Sequence, residues 1–387
     1  MKIAFVVQRF GPGVEGGAER HCAMVASRLA TTDEVEVLTS TALQAGRWDR
    51  SHFAEGIDRH EGLAVRRFAV DARRGPFGLR YAWLQRRIRS ERRSLSDEAA
   101  WLEAQGPTCP GLMRWLEAER ERYDAVVFFT YLYPTTASGI LHVADRAVLV
   151  PTAHDEPALR LDAFRPLFLV PRVILYNTVE EQALVQARFH NAHVRSAVAG
   201  VGIDEPPPAA PDPEPPSDDV VFVGRVDQDK IVDLIPWFLR WADDRKAAAR
   251  LVLLGKHYTS LPSDPRILAP GFVSEAEKWR WLRRARVFVM PSEKESLSMV
   301  LLEAWSVGAP ALVNGKSPVL AGHVARSGGG QVYTSFETFS RGLDVLLGDR
   351  AAAAAQGEAG RAYVGERYTW ERVMPVIRDA VAFAATR

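Results

Sequence analysis

The sequence predicts an α/β protein built from two doubly wound parallel-sheet domains, and three observations predict it. Short apolar runs alternate with stretches of helical periodicity along most of the chain. This is the pattern of buried parallel strands covered on both faces by crossover helices. The 387 residues exceed what one core usually holds. Residues 204–219 read DEPPPAAPDPEPPSDD, a proline density that excludes helix and central strand and behaves as a semi-stiff spacer. The expected organisation is a domain over 1–203, a linker over 204–219, a second domain over 220–367 and a terminal helical segment over 368–387.

Composition narrows the class. Hydrophobic content of 47% and charged content of 25% are ordinary for a globular chain. A net charge of +1 gives no general attraction to nucleic acid. Only seven of the 49 basic residues are lysine, which makes each lysine informative. Cys22 and Cys109 have neither metal-ligand spacing nor partners for a disulfide framework, so a reducing cytoplasm is the expected setting. The apolar run 3–7 ends at Gln8-Arg9 and is too short for a signal peptide. No apolar run approaches the ~20 residues of a membrane span, so the chain is expected to be soluble or to rest on a membrane surface.

Residues 2–7 form the first apolar run and residues 18–29 the first helix, with Cys22, Val25, Ala26 and Leu29 on one face. The loop between them matches G-x-G-x-x-G at Gly11, Gly13 and Gly16. It is a poor dinucleotide fingerprint, because Pro12 removes a backbone donor and the following strand, 35–38, ends in Thr39-Ser40 rather than an acid. Further strands are expected at 63–70, 125–129, 147–150 and 173–175. Residues 66–93 break the neutral balance, with ten arginines against Asp71 and Glu91 and with Phe77, Leu79, Tyr81, Trp83, Leu84 and Ile88 interleaved. Such a stretch suits an anionic membrane surface or a phosphate-bearing acceptor, or equally a solvated face of a packed helix. His154 follows the strand ending at Val150, at a carboxyl strand end where ligands collect; a structural histidine is the alternative there. Asp155 and Glu156 are lesser candidates for sugar or acceptor contacts.

In the second half, strand 220–223 runs into Gly224 and Arg225, with Lys230 five residues on. On the residues alone, a surface pairing of these two cations with Asp227 and Asp229 is the plain reading. A strand at 251–255 ends in Gly255. Residues 270–273 precede a helical stretch with Trp279 and Leu282. Gly315-Lys316-Ser317 resembles the tail of a phosphate loop but has Pro310 where the leading glycine belongs. Helices are expected at 336–347 and 351–363, and over 368–387 apart from Pro375, with Trp370 as an apolar anchor.

Residues 291–310 read PSEKESLSMVLLEAWSVGAP. A strand, 286–290, enters a turn carrying Glu295, and a helix beginning near Leu297 or Ser298 carries Glu303. The unpaired N–H groups of a helix start attract phosphate. A carboxylate, then N–H groups, then a carboxylate suits the two hydroxyl-bearing ends and the central diphosphate of a nucleotide-sugar. A capped helix with two solvated acids fits the spacing as well.

The segment Glu295 to Glu303 resembles the E-x7-E motif of retaining glycosyltransferases of the GT-B fold, in particular glycosyltransferase family four. Ser296 and Ser298 stand where that pattern commonly has glycine. Gly16-Gly17-Ala18-Glu19-Arg20, His154 at its strand end, and G-R-x4-K at Gly224, Arg225 and Lys230 resemble other motifs of the family, in the family's order, although Ile231 stands where glycine usually follows the lysine. The resemblance covers nearly the whole chain. It implies two Rossmann-like domains facing a central cleft, with the terminal helix crossing back to the first. It further implies that Gly16 and Gly17 close over the donor's phosphates, that His154 contacts the sugar, and that Arg225 and Lys230 clamp the diphosphate. Backbone donors of Ser298, Met299 and Val300 assist them; backbone around Val273 holds the base; Glu303 holds the ribose; and Glu295 holds the sugar.

The implied activity is retaining, metal-independent transfer from a UDP- or GDP-type sugar donor to a saccharide or lipid-linked saccharide, in bacterial surface polysaccharide or glycolipid synthesis. The implied place is the cytoplasm or the inner face of the cell membrane. No cofactor is implied, since the nucleotide-sugar is a substrate, and no nucleic acid. A nucleotide-sugar epimerase on the same fold, or a non-catalytic nucleotide-sugar-binding partner, is the alternative.

Overall fold

The computed structural model describes residues 1–46, 48, 52–71, 79–208, 218–231 and 233–386. The chain divides into two compact units, Met1–Gly200 with Met374–Arg387, and Val201–Val373.

The first unit holds strands β1 (Lys2–Val6), β2 (Glu34–Ser40), β3 (Gly56–His60), β4 (Leu63–Phe68), β5 (Ala125–Phe129), β6 (Ala147–Val150), β7 (Val173–Tyr176) and β8 (Ser196–Val198). They form one sheet in the order β3-β4-β2-β1-β5-β6-β7-β8. All neighbours are parallel except β3 and β4. That hairpin escapes the apolar pattern because β3, GIDRH, is exposed along nearly all its length. Its turn signal is Glu61-Gly62, both at positive φ, as a two-residue hairpin turn of the favoured twist requires. The central strands are buried throughout. One cluster covers a face of the sheet, with Leu84, Trp101, Leu112, Phe164 and Phe168 packed on Ala4, Val126 and Leu149.

The arginines of 66–93 belong to several elements rather than to one basic helix. Arg67 lies on β4, buried, and donates to the Phe10 carbonyl at 2.6 Å. Arg66 donates to Glu36 at 2.9 Å. Arg87 donates to Asp97 at 3.0 Å and Arg93 to Glu98 at 2.8 Å. The helix itself is only Leu79–Arg87. Arg73, Arg74 and Phe77 lie outside the described residues.

The second unit has strands β9 (Asp219–Val223), β10 (Arg250–Leu254), β11 (Ile267–Gly271), β12 (Val287–Met290), β13 (Ala311–Asn314) and β14 (Gly330–Tyr333), in the order β11-β10-β9-β12-β13-β14, all parallel. Pro270 sits on β11 at the sheet edge, where a missing ladder donor is tolerated. Asp219, expected in the linker, is instead the first residue of β9. It is fully buried because the Arg250 guanidinium grips both of its oxygens, at 2.8 and 2.9 Å. Residues 209–217 of that linker lie outside the described residues.

The terminal helix runs unbroken over Trp370–Ala385, with Pro375 inside it, where the sequence predicted an interruption. A proline there removes one helical hydrogen bond at a cost of about 3 kcal/mol. The buried stripe Ile377, Ala380, Val381 and Ala384 offsets that cost. Trp370 anchors the start of this helix by donating to Asp204 at 2.8 Å, its ring lying against Gly202. Among the described residues no helix is long and apolar enough to cross a membrane.

Candidate functional site

In the second unit the chain order reverses between β9 and β12, which are adjacent parallel strands. Ligands of open α/β sheets bind beyond the carboxyl ends of the strands at such a point. Two of the sequence-predicted segments emerge there.

After β9, Gly224 adopts φ 154° and Gly255, after β10, adopts φ 138°. A Cβ on Gly255 would lie 2.0 Å from the Gly224 carbonyl oxygen, so that position excludes a side chain. This close approach lets Val226 bridge the next loop, donating to the Lys256 carbonyl at 3.0 Å and accepting from Tyr258 at 2.9 Å. Asp227 then accepts the Lys230 backbone N–H at 2.9 Å and starts the single turn Gln228–Ile231. Arg225 is 65% exposed and pairs with Asp227 at 3.3 Å. The Lys230 side chain takes a different partner. Its Nζ lies 3.3 Å from Glu295 Oε1, which joins two segments 65 positions apart in sequence.

After β12, the loop 291–298 is tied down at several points. Asn314 donates to the Pro291 carbonyl at 2.9 Å, and Lys316 to Glu293 at 2.8 Å. His323, fully buried, lies with Nε2 3.1 Å from the Leu297 carbonyl and Nδ1 3.1 Å from the Tyr363 hydroxyl. A carbonyl only accepts, so Nε2 carries the proton and Nδ1 accepts from Tyr363, whose oxygen in turn accepts from Arg326 at 3.2 Å. Ser298 takes the left-handed conformation, φ 70° and ψ 72°, and the helix runs from Met299 to Ser306. The helix starts within two residues of its predicted position, so Glu295 lies in the loop and Glu303 in the second turn. The N–H groups of Met299 and Val300, in the first turn, have no intrahelical carbonyl to reach.

Glu303 does not join the pair formed by Lys230 and Glu295. It is 5% exposed, and its Oε2 lies 3.0 Å from Nζ of Lys278. Lys278 was not singled out in the sequence, although the scarcity of lysine is a signal that could have found it. Val273, half-buried, follows β11 and directly precedes Ser274, which caps the helix Glu275–Arg284 reciprocally with Glu277.

The remaining candidates belong to the first unit. Gly16 is the N-cap of the helix Gly17–Leu29, with extended φ, and a Cβ there would lie 2.0 Å from Glu19 Oε2. Glu19 is buried and accepts from Gln8 at 2.9 Å and from Arg9 at 2.5 Å. Gly16 thus makes room for an internal carboxylate, a packing reason the sequence did not disclose. His154 follows β6, half-buried, with Nδ1 3.7 Å from Glu156, and Glu156 accepts the Tyr131 hydroxyl at 2.6 Å. Asp155 is exposed and pairs with Arg160. The loop ahead of His154 is held by Glu181, which accepts the N–H of Ala153 at 2.5 Å and that of Asn177 at 2.6 Å. Burial pushes the Glu181 carboxyl up to about 8, against the downward pull of those two donors.

Three comparisons bear on this arrangement. A sulfoquinovosyl transferase, SQD2, of Arabidopsis thaliana is 29% identical over 185 residues. That match spans 44% of this chain and 34% of the plant protein, so only about a third of the relative's length is matched. The Anabaena protein HepE, solved in complex with UDP and glucose, superposes with a TM-score of 0.70 at 13% identity, covering 99% of both chains. WaaG, described as a glycosyltransferase involved in lipopolysaccharide biosynthesis, superposes with a TM-score of 0.64 at 14% identity, covering 98% of this chain and 99% of WaaG. The chain therefore has the GT-B fold, two parallel-sheet α/β domains, and its residues 217–327, which carry Arg225, Lys230, Glu295 and Glu303, match the family described as glycosyl transferases group 1.

Proposed function

We propose that this protein is a retaining, metal-independent glycosyltransferase that moves a sugar from a UDP- or GDP-type donor to an acceptor hydroxyl. The observation that carries the reading is the contact of Lys230 with Glu295 at 3.3 Å. It sets a cation beside a carboxylate at the carboxyl ends of two adjacent strands, next to a helix start that offers N–H groups. In the reaction the bond from the sugar's anomeric carbon to the diphosphate breaks. The acceptor oxygen forms the new bond on the same face, and its proton passes to the departing diphosphate. Arg225 and Lys230 neutralise the charge that develops on that leaving group, and the backbone of Ser298, Met299 and Val300 adds donors. Glu295 holds sugar hydroxyls and steadies the positive charge on the ring. Glu303 holds the ribose, the backbone at Val273 the base, and His154 the sugar. Gly16 and Gly17 meet the phosphates.

The acceptor is a saccharide or lipid-linked saccharide of a bacterial surface polysaccharide or glycolipid. The exposed side chains Leu79, Arg80, Trp83 and Arg86 support contact with the anionic inner face of the cell membrane. Leu79, Trp83 and Arg86 recur at i, i+4 and i+7 on one helical face.

The test is release of nucleoside diphosphate from a panel of nucleotide-sugars with and without saccharide acceptors, after thermal-shift screening of the donors. Acceptor-dependent release supports transfer. Release of an isomerised sugar-nucleotide without acceptor, or binding without turnover, overturns it. Salt-sensitive binding to anionic vesicles checks the membrane contact, and no binding at low salt removes it.

A further inference from the structure

We infer that Lys278 determines the preference of this site for a ribonucleoside over a 2′-deoxyribonucleoside, by holding the Glu303 carboxylate in place. The inference rests on the reading of Glu303 as the acceptor of ribose hydroxyls.

A carboxylate as buried as Glu303 calls for a partner charge. Its partner is Lys278, whose Nζ is 3.0 Å from Oε2, the two side chains being 7% and 6% exposed. The same Nζ lies 2.8 Å from Glu275, at the surface. Lys278 stands on the buried stripe of the helix Glu275–Arg284, with Trp281 and Leu282 at i+3 and i+4. Burial alone would favour an apolar side chain at that position, since taking an ammonium out of water is costly. The lysine is accounted for by what it faces. The capping of this helix by Ser274 and Glu277, immediately after Val273, fixes the start of the helix that carries Lys278.

An ionised carboxylate accepts hydrogen bonds at both oxygens and donates none. It therefore suits the hydroxyls of a ribose, and charge assistance makes such a bond about twice as strong as a neutral one.

The experiment compares binding of UDP with 2′-deoxy-UDP, and of GDP with 2′-deoxy-GDP, by calorimetry on the full chain. The unmodified protein is expected to prefer the ribonucleotide by about tenfold or more, the scale of one charge-assisted hydrogen bond. In Lys278→Met that ratio falls to about threefold or less, while Lys278→Arg keeps it. Lys278→Gln retains an N–H donor and similar volume, and reads the same ratio should the methionine variant fail to fold. A merely structural role would lower the melting temperature and leave the ratio alone. If the unmodified protein shows no preference, the ribose role of Glu303 fails. If it does, and the Met and Gln variants keep the full ratio, the role of Lys278 fails while that of Glu303 stands.

Discussion

The loops after β6 and after β12 solve the same problem with opposite chemistry. Each leaves the carboxyl end of a buried parallel strand, and each is pinned from behind by a buried titratable side chain. In the first unit Glu181 accepts two backbone N–H groups, one of them from the residue just before His154. In the second, His323 donates to the carbonyl just before Ser298, with Tyr363 and Arg326 ordered behind it. The difference follows from what each loop turns inward: the loop after β6 turns a donor to the interior, joined by the Asn177 N–H beyond β7, and the loop after β12 turns a carbonyl inward. Each pin leaves the outward face of its loop available for a ligand. The loops differ outwardly as well, since the loop after β12 carries a carboxylate already facing a lysine.

The largest expected effects separate the outward faces. Glu295→Ala should lower transfer by about 100-fold or more, the scale of losing one preorganised charge at a reacting centre, with nucleoside diphosphate affinity changed less than about threefold. Unchanged turnover would discard the role of Glu295. Lys230→Ala and Arg225→Ala should each weaken nucleoside diphosphate binding by about tenfold, as loss of a charged hydrogen bond does. Equal affinity in calorimetry would remove the clamp. His154→Ala should lower transfer with little change in diphosphate affinity; a parallel loss of both would mean that the two loops do not divide the work as drawn.

The pins come next. Glu181→Ala leaves two backbone donors without their acceptor, and His323→Ala leaves the Leu297 carbonyl without its donor, while the Tyr363 hydroxyl keeps Arg326 and Tyr368. Each orphaned buried group costs about 1–3 kcal/mol, so both variants should melt several degrees lower. Only His323→Ala should also weaken nucleoside diphosphate binding, because only the loop after β12 positions N–H groups at the helix start. Equal losses of affinity in the two variants would break the comparison.

How far the sequence discloses these features depends on sequence separation. Alternating apolar runs placed β1, β5, β6, β9 and β12 to within about a residue, because parallel strands are recognisable from their own burial. The order of Arg225, Lys230, Glu295 and Glu303 was readable for a similar reason, since each sits beside a strand end or helix start with local turn chemistry. The contacts of Glu181, His323 and Lys278 were not readable, although the scarcity of lysine marks Lys278 itself. Their partners lie at Ala153, Leu297 and Glu303, 28, 26 and 25 positions away, and each looks locally like an ordinary helical residue. Strand β4 was placed, but β3 and its hairpin pairing were missed because β3 has no apolar face. Pro375 misled because the packing of the terminal helix outweighs its broken hydrogen bond.

Glu181 also gives the two pins different pH behaviour. Its folded-state value is raised to about 8 from an unreacted 4.5, chiefly by burial. The folded state therefore keeps a proton that the unfolded chain releases above about 4.5, so this contribution to stability is full below that value and is lost as pH rises toward 8. Glu181→Gln, which cannot ionise, should flatten the fall in melting temperature between about pH 5 and 8. An unchanged slope would mean that Glu181 is not the group responsible.

The smallest effect concerns Ser298. At φ 70° its Cβ crowds the following carbonyl oxygen, at a cost of about 1 kcal/mol that glycine avoids. Its hydroxyl does not cap the helix that follows, so the side chain brings no compensating hydrogen bond there. Removing it frees the unfolded chain as well, and that gain for the unfolded state offsets part of the relief. Ser298→Gly should therefore change stability by less than about 1 kcal/mol, in the stabilising direction, and leave nucleoside diphosphate affinity unchanged. A clear loss of affinity in Ser298→Gly would show instead that the serine hydroxyl, and not only the backbone it shapes, meets the ligand. Ser298 would then join Glu295 as a side chain of the loop after β12 that meets the ligand, and the backbone donors at the helix start would carry less of the binding.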